Sequence, residues 1–296
     1  MRLMSIFLYL SLLFFFSCTK KEITVNQTNF TETIDGNVAP PFKGVTTIQI
    51  QNYINKIYID LVGREPSISQ MDDLSLYLKN NTLSDAARDQ VISDLMNSDD
   101  YYNRLWEVYS SNMLQGYSQE DVTEQIQTLD YLIDLFTQQG EDFIVQILEQ
   151  ERIEFVNMQN AITQYAASEI GIDIFIARMI NNAVFEEINM GSENFVIASF
   201  ENLFKRQPTD NELVNSITMV DGISAQLLFL DGLSKSDFVE IMTTVPEFYQ
   251  GLTIDIYQNL LARLPNSQEM TEATVENESY QMIQRQVMKT AEYAGF

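Results

Sequence analysis

Histidine is absent from all 296 residues of this chain, which removes whole classes of chemistry. Without imidazole there is no Ser-His-Asp or Cys-His nucleophile, no histidine acid–base catalyst near neutral pH, and no histidine-ligated zinc or iron site. Carboxylate chemistry remains, either glycoside hydrolysis by an Asp/Glu pair or calcium bound by oxygen ligands. Neither leaves a distinctive residue spacing here, so we expect no enzyme activity, no cofactor and no metal site.

Basic residues are also scarce, since 17 Lys and Arg stand against 42 Asp and Glu, and the formal net charge is −25. A surface this acidic repels phosphate backbones and anionic lipid headgroups, so nucleic acid is not an expected partner. The chain has one cysteine, 11 glycines and six prolines. A single cysteine excludes a disulfide within the monomer, and the shortage of glycine and proline leaves few breaks in regular structure.

That cysteine, Cys18, ends a short N-terminal segment with a basic start at Arg2 and an apolar run from Ile6 to Phe16. The segment resembles a bacterial lipoprotein signal, in which residues 1–17 are removed and the cysteine is acylated. A transmembrane anchor or a buried helix is the alternative, but the run is about half of the ~20 apolar residues that a spanning helix needs. We therefore predict a chain tethered to the membrane by its N-terminal lipid.

Residues 18–45 are rich in Thr, Asn and Gln and show no apolar periodicity, so we predict a lipidated N-terminus and flexible linker, with a docked ordered tail as the alternative. The pair Lys21-Glu22 places a lysine beside an acidic residue soon after the cysteine. This pair resembles the export signal of Bacteroidota surface lipoproteins. The resemblance implies the outer membrane and its outward face, with the periplasmic face as the alternative.

Helical periodicity dominates the rest of the chain. Apolar residues recur at i, i+3, i+4 and i+7 in long stripes, for example from Ile50 to Leu61, from Val122 to Phe136 and from Tyr249 to Leu264. Such stripes predict amphipathic helices, and alternating runs with hairpin turns are missing. We predict an all-α fold, a multi-helical bundle of repeated helix-corner-helix units with a helical insertion.

One short pattern of an aromatic residue, a leucine, an arginine and a proline occurs three times with identical spacing, which indicates an internal repeat. Its members are Tyr58, Leu61, Arg64 and Pro66; Phe200, Leu203, Arg206 and Pro208; and Tyr257, Leu260, Arg263 and Pro265. We expect the aromatic residue and the leucine to bury one helix face, the arginine to lie in the last helical turn, and the proline to stop the helix.

A capping signal follows each proline, because Ser67, Thr209 or Asn266 precedes a Gln or Glu by three residues. This spacing predicts a capping box at the start of a second helix. A looser marker comes later, a methionine followed after four or five residues by an acidic–aromatic pair. The markers are Met96 with Asp100-Tyr101, Met242 with Glu247-Phe248, and Met288 with Glu292-Tyr293. They predict a first unit at 46–117, an insertion at 118–189, and second and third units at 190–296.

The stretch from Ile57 to Ser67, with the helix after it and the segment from Met96 to Trp106, resembles helical modules of unknown function found beside cytochrome-type domains in planctomycete proteins. It is also similar to an uncharacterised helical repeat of secreted bacterial proteins. The resemblance covers residues 50–110 and 195–296. It implies a fold and carries no activity.

Several residue groups allow a functional and a structural interpretation. The three repeat arginines could bind an acidic partner or a carboxylate ligand, but helix capping and pairing with local acids is favoured. Trp106 with Tyr101, Tyr102 and Tyr109 could stack on a sugar, but a core cluster is favoured. Four acidic pairs are expected on solvated surface, namely Asp72-Asp73, Asp99-Asp100, Glu120-Asp121 and Glu186-Glu187. Residues 231–237 are expected to form a polar loop.

Three functions remain as hypotheses. The leading one is an outer-membrane-anchored lipoprotein that acts as a non-enzymatic scaffold or binding subunit of a membrane-associated complex, with outer-membrane proteins as partners. A surface lipoprotein that binds a glycan or nutrient for an uptake system is the first alternative. A carboxylate-dependent hydrolase is the second, and it requires an Asp/Glu pair facing a cleft.

Overall fold

The computed structural model describes residues 44–276 and 279–296, and most of their backbone is helical. The predicted all-α fold is confirmed, since the described residues form fifteen α-helices and one small two-stranded sheet. The predicted signal segment at 1–17, the predicted lipidation site Cys18 and the predicted linker up to residue 43 lie outside the described residues.

The first eight helices cover the predicted first unit and the predicted insertion. They are α1 (Thr47–Val62), α2 (Ile68–Asn80), α3 (Asp85–Met96), α4 (Asp99–Met113), α5 (Gln119–Gln139), α6 (Asp142–Ala166), α7 (Ile172–Ile180) and α8 (Ala183–Ile188). The other elements cover the predicted second and third units. They are α9 (Ser192–Leu203), α10 (Asp210–Val220), β1 (Ala225–Leu227), β2 (Leu230–Gly232), α11 (Lys235–Thr244), α12 (Pro246–Leu261), α13 (Ser267–Glu276), α14 (Tyr280–Lys289) and α15 (Ala291–Ala294).

Ten of these helices begin at a Ser, Thr or Asn whose side-chain oxygen accepts a backbone N–H from the first turn. The caps are Thr46, Ser67, Ser84, Ser98, Ser118, Asn182, Thr209, Ser234, Asn266 and Thr290. The predicted capping boxes are confirmed, because Gln70, Glu212 and Glu269 each accept the backbone N–H of their cap residue in return. A cap of this kind contributes about 1 kcal/mol, so local sequence sets where the helices start.

The insertion contains the longest helix pair, α5 and α6, which run antiparallel. Two side-chain contacts show the direction: Gln159 Nε2 donates to Thr123 Oγ1 at 2.9 Å, and Arg152 pairs with Asp130 further along. Both contacts join positions whose numbers sum to the same value, as an antiparallel pair requires. Phe155, deep in this pair, is fully buried.

The third unit packs against the first, although the two lie far apart in sequence. The ring of Tyr53 on α1 meets the rings of Tyr293 and Phe296 edge-on, with centroids 6.2 and 5.6 Å away. Tyr293 also donates its hydroxyl proton to Asp60 on α1 at 2.6 Å. Buried aromatic contacts of this kind join the C-terminal residues to α1.

Helix α12 carries sequence markers of two predicted units. Its first turn carries the acidic–aromatic pair Glu247-Phe248 of the second unit, and its later turns carry Tyr257 and Leu260 of the third. At Gly251 this helix contacts the backbone of Leu203 so closely that a Cβ would collide with the carbonyl group. The second and third units therefore share one rigid element.

Two expectations about local structure were wrong. The repeat arginines do not lie in the last turn of a helix, because α1, α9 and α12 end two or three residues before them. The residue before each arginine, namely Gly63, Lys205 or Ala262, has a positive φ of 71°, 58° or 54°, and this left-handed residue turns the chain before the proline is reached.

The predicted polar loop at 231–237 was also wrong. Asp231 and Gly232 belong to β2, which pairs antiparallel with β1, and Asp237 lies in the first turn of α11. The period-two pattern is only three residues long in each strand, too short to stand out in the sequence.

Candidate functional site

Each repeat arginine sits at the centre of a hydrogen-bonded corner, and the corner of Arg206 shows the full pattern. Its guanidinium donates to Glu212 at 2.7 and 2.8 Å and to Glu247 at 2.5 and 3.1 Å. It also donates to the backbone oxygen of Gln207 at 3.1 Å. Glu212 belongs to the capping box of α10 and Glu247 to the start of α12, so a single cation joins the ends of three helices.

The third corner repeats this geometry. Arg263 donates to Glu269 at 2.7 and 2.8 Å, to Glu292 at 2.7 Å through two nitrogens, and to the backbone oxygen of Leu264 at 3.0 Å. The acid of the later marker is again the second partner. The looser marker in the sequence was therefore the signal for this contact. Its spacing could not show that the acid of the marker would meet the corner arginine.

The first corner has one charge fewer. Arg64 donates to Asp100 at 2.7 Å, but its capping-box partner is the neutral amide of Gln70, whose Oε1 lies 3.2 Å away. Its third contact is the backbone oxygen of Glu65 at 3.2 Å. The same corner is built here with one carboxylate instead of two.

Aromatic rings and prolines complete the three corners. The guanidinium carbons of Arg64, Arg206 and Arg263 lie 5.6, 5.2 and 5.3 Å from the ring centroids of the aromatic residues six positions earlier. Such cation–π contacts add to the ion pairs. Leu61, Leu203 and Leu260 are buried, and Pro66, Pro208 and Pro265 are half-buried.

The electrostatic effect of the corners is clearest at their acids. Arg206 lowers the pKa of Glu212 to about 2, mainly by hydrogen bonding to its carboxylate. Arg263 likewise lowers the pKa values of Glu269 and Glu292. These acids are engaged by their own arginine, which supports the structural interpretation of the repeat over an exposed binding face.

The other candidate residues also have structural places. The aromatic cluster lies in the core as expected, since Tyr101, Trp106 and Tyr109 are buried and Tyr102 is half-buried. Most of the acidic pairs are exposed, but Asp100 pairs with Arg64 and Glu186 with Lys235. Across residues 44–276 and 279–296, no three metal-ligating side chains come together as a metal site would require. Over the same ranges, no helix has the length and apolar character needed to cross a bilayer.

The β-hairpin is the feature that sequence analysis missed. Its strands pair Leu227 with Leu230, which leaves Leu228 and Phe229 as a two-residue turn. Both turn residues have positive φ, 48° and 67°. Two-residue hairpins of this geometry favour Asn-Gly, and a residue with a Cβ costs roughly 1–2 kcal/mol in the left-handed region. The turn is therefore strained where glycine would remove the strain.

The turn also exposes apolar surface, and we call Leu228, Phe229 and Leu230 the apolar tip. Phe229 is 93% exposed and Leu230 is 44% exposed, while Ile223 and Leu233, beyond the other end of the paired strands, are 59% and 60% exposed. Contiguous exposed apolar residues mark interaction sites more often than isolated ones do. The apolar tip is the strongest candidate for such a site.

The base of the hairpin is held in place, so the tip is presented on a fixed support. Leu227 is buried, and Asn215 on α10 donates to the backbone oxygen of Gln226 at 2.9 Å. Gly232 lies so close to α11 that a Cβ there would be 2.9 Å from the Cβ of Asp237. Packing against two helices orients the strands, and Leu228 of the turn packs partly against the core, so that only Phe229 is almost fully exposed.

The chain segments on either side of the apolar tip are acidic. Asp221, Asp231 and Asp237 flank it along the chain, and the nearby cation Lys235 is already paired with Glu186. The local charge is therefore negative, like that of the whole chain.

A separate cavity of about 480 Å³ lies among α6, α7 and α11. Its charged residues are Glu154, Asp173, Arg178 and Glu240, and its apolar surface includes Ile174 and Val239. Burial raises the pKa of Glu154 and lowers the pKa of Arg178. The cavity joins the insertion to the second unit.

Comparison of the chain with protein-family models, with curated proteins and with solved structures found no match. Function is therefore inferred from the chain's own residues.

Proposed function

We propose that the chain is an outer-membrane-anchored lipoprotein that acts as a non-enzymatic binding subunit of a membrane-associated protein complex. The N-terminal segment ending at Cys18 supports the lipid anchor, and the Lys21-Glu22 pair supports the outward face of the outer membrane. The single observation that carries the binding role is the apolar tip. It combines 93% exposure of Phe229 with two left-handed residues at the turn.

The strain argues for a role beyond closing the hairpin. A turn needed only to connect β1 and β2 is most stable with residues that accept positive φ and water, as Asn-Gly does. Leu228 and Phe229 both take positive φ, and Phe229 is also an apolar side chain exposed to water. Backbone strain of this kind is concentrated at functional sites. The buried hairpin base holds the strained turn, so Phe229 is available to a partner without rearrangement.

The partner we propose is a protein with an apolar pocket bordered by Lys or Arg. Asp221, Asp231 and Asp237 around the tip complement a basic rim. The same acids disfavour a bilayer surface carrying anionic headgroups and disfavour a second copy of this chain, because both would bring like charges together. An aromatic anchor entering a pocket is also the usual centre of a protein interface.

Photo-crosslinking in cells tests the partner. Benzoylphenylalanine is introduced at Phe229, and at Phe143 on α6 as a matched control, since Phe143 is also a largely exposed phenylalanine, at 75%. We expect the probe at 229 to crosslink one outer-membrane protein at an apolar peptide next to Lys or Arg, and the probe at 143 not to. Crosslinks to lipid, to a second copy, or at equal level from both positions would each reject the proposed partner.

The anchor is tested separately by metabolic labelling with a fatty acid. We expect label in the wild-type chain and none in Cys18→Ser, with the protein shifting from the membrane to the soluble fraction. An unlabelled wild-type chain would reject the lipoprotein proposal even if the apolar tip binds a protein.

A second candidate, a carboxylate-dependent hydrolase, is favoured by one observation. The cavity among α6, α7 and α11 includes three carboxylates, and burial raises the pKa of one of them, Glu154, as is typical of a general acid. Assay of the mature chain on a panel of chromogenic glycosides tests it. Turnover that Glu154→Gln abolishes would favour this function, and absence of turnover would reject it.

A further inference from the structure

Arg178 differs from the other arginines in the described part of the chain. Seven described arginines have a carboxylate within ion-pairing distance, and Arg178 has none. In a protein of net charge −25, a half-buried arginine without an acidic partner is unexpected. Arginine stays charged in proteins, so the uncompensated charge lines the cavity at all working pH values.

The hydrogen bonds of Arg178 leave one side of the guanidinium free. Only Nη1 is engaged, with the backbone oxygen of Asn157 at 3.0 Å and with Gln164 Oε1 at 2.6 Å. Nε and Nη2 have no partner among the described residues, and neither atom is buried. These two nitrogens form the edge that binds a carboxylate side-on through two parallel hydrogen bonds, and Asn157 and Gln164 hold that edge in place.

The rest of the cavity carries the opposite charge. Glu154 contributes from α6, Asp173 from α7 and Glu240 from α11. None of these carboxylates forms an ion pair within the described chain, although Gln150 donates to Glu154 at 3.2 Å. A ligand with only negative charge would be repelled by the three acids, and a ligand with only positive charge would leave Arg178 uncompensated.

We propose that this cavity binds a zwitterion with one carboxylate and one ammonium group, either a free amino acid or a short peptide. The carboxylate pairs with Nε and Nη2 of Arg178, and the ammonium group lies toward the acids. Ile174 and Val239 supply apolar contact for the part between the charges. A volume of about 480 Å³ falls in the range of small-molecule sites. This site is independent of the apolar tip and goes beyond the proposed function.

Calorimetry on the mature chain tests the ligand class with defined probes. L-Leucine represents the free amino acid, and trialanine represents the short peptide. N-acetyl-trialanine lacks the ammonium group and trialanine amide lacks the carboxylate. We expect L-leucine or trialanine to bind, with the stronger of the two identifying the source. If trialanine is the stronger ligand, we expect N-acetyl-trialanine and trialanine amide to bind at least tenfold more weakly than trialanine. If L-leucine is the stronger ligand, we expect N-acetyl-leucine and leucine amide to bind at least tenfold more weakly than L-leucine.

Two variants and a control locate the binding. Arg178→Gln removes the contact with the ligand carboxylate. Arg152→Gln changes an arginine on α6 that lies outside the cavity, so it leaves that contact intact. Arg178→Gln also removes hydrogen bonds between α6 and α7, so a second variant is needed at an exposed position. We expect Glu240→Lys to weaken binding at least tenfold without lowering the melting temperature. Absence of binding by both zwitterions, equal binding of the blocked forms, or equal weakening by Arg152→Gln would overturn the proposal.

Discussion

The arginine corners and the apolar tip are both places where the chain changes direction, and their chemistry differs in one respect. At the second and third corners, every guanidinium nitrogen is hydrogen-bonded inside the chain, as those of Arg206 are by Glu212 and Glu247. At the apolar tip, the ring of Phe229 is 93% exposed. The corners thus contribute to folding, and the tip carries the binding role that we propose.

The comparison also separates two kinds of positive φ. At Gly63, Lys205 and Ala262 a left-handed residue ends a helix, and the ion pairs that follow stabilise the turn. At Leu228 and Phe229 the turn has no ion pair of its own, and its stability depends on the packing of the hairpin base. Backbone strain that neighbouring ion pairs compensate is typical of a structural turn. Backbone strain at a residue whose apolar side chain is exposed is typical of a functional site.

Removing the central cation of a corner should have the largest effect. Arg206→Met leaves two carboxylates without their partner between three helices, and we expect a loss of about 2–3 kcal/mol in the free energy of unfolding. Urea denaturation measures this change. Arg152→Met, which breaks an exposed pair within the insertion, should cost far less. Crosslinking at Phe229 should persist in Arg206→Met below its melting temperature, and its specific loss there would contradict the division of roles.

Relieving the strain at the apolar tip should act in the opposite direction on stability. The variant Phe229→Gly places a residue that accepts positive φ at the exposed turn position and keeps the half-buried Leu228, and we expect a gain of roughly 1–2 kcal/mol in the free energy of unfolding. The same variant should lose its partner in co-purification. Phe143→Ser is the matched control, with no loss of the partner. A Phe229→Gly variant that is less stable than wild type would show that the exposed ring supports the fold.

Acid should weaken the second corner over a defined pH range. Because the folded pKa of Glu212 is about 2 and lies below its ordinary value of 4.5, its stabilisation is complete above pH 4.5 and is lost as pH falls toward 2. At pH 4 only a small part should be lost. The stability difference between wild type and Glu212→Gln, measured at pH 7, 4 and 3, should shrink steadily. A constant difference would show that the carboxylate charge does not stabilise the corner.

Adding the missing charge to the first corner should have the smallest effect. Gln70→Glu gives Arg64 the second carboxylate that Arg206 and Arg263 already have. Since Arg64 is about half exposed, we expect a gain of only about 0.5 kcal/mol. Thermal unfolding at low and high salt measures it, and the gain should vanish at high salt. A loss of stability would mean that the first corner differs from the others in more than charge.

Local signals were enough to predict much of the fold. Helical stripes such as Ile50 to Leu61 gave the all-α class, and the spacing of Thr209 and Glu212 gave a capping box that the structure contains. Both depend on residues within a few positions of one another. The arginine placement was wrong because a left-handed residue such as Ala262 is not recognisable from its type, so the helix ends earlier than the proline suggests.

Non-local features escaped prediction for a different reason. The hairpin strands are three residues long, and the strained turn carries no Asn or Gly to mark it. The acid of the later marker lies 29 to 41 positions from its corner arginine, for example Glu292 for Arg263 and Glu247 for Arg206. Contacts at such separation depend on how whole helices pack, which periodicity does not report.

By itself, the sequence determined the absence of histidine chemistry, the acidic charge, the helical class, the helix starts and the existence of a threefold repeat, because each depends on residue type or on short spacings. Only the tertiary structure decided that α12 serves two units, that Tyr293 meets Asp60 on α1, and that Arg178 lines a cavity without an acidic partner. These outcomes depend on contacts between side chains that are distant in sequence. Such contacts form only when the helices pack, so residue type and short spacings do not determine them.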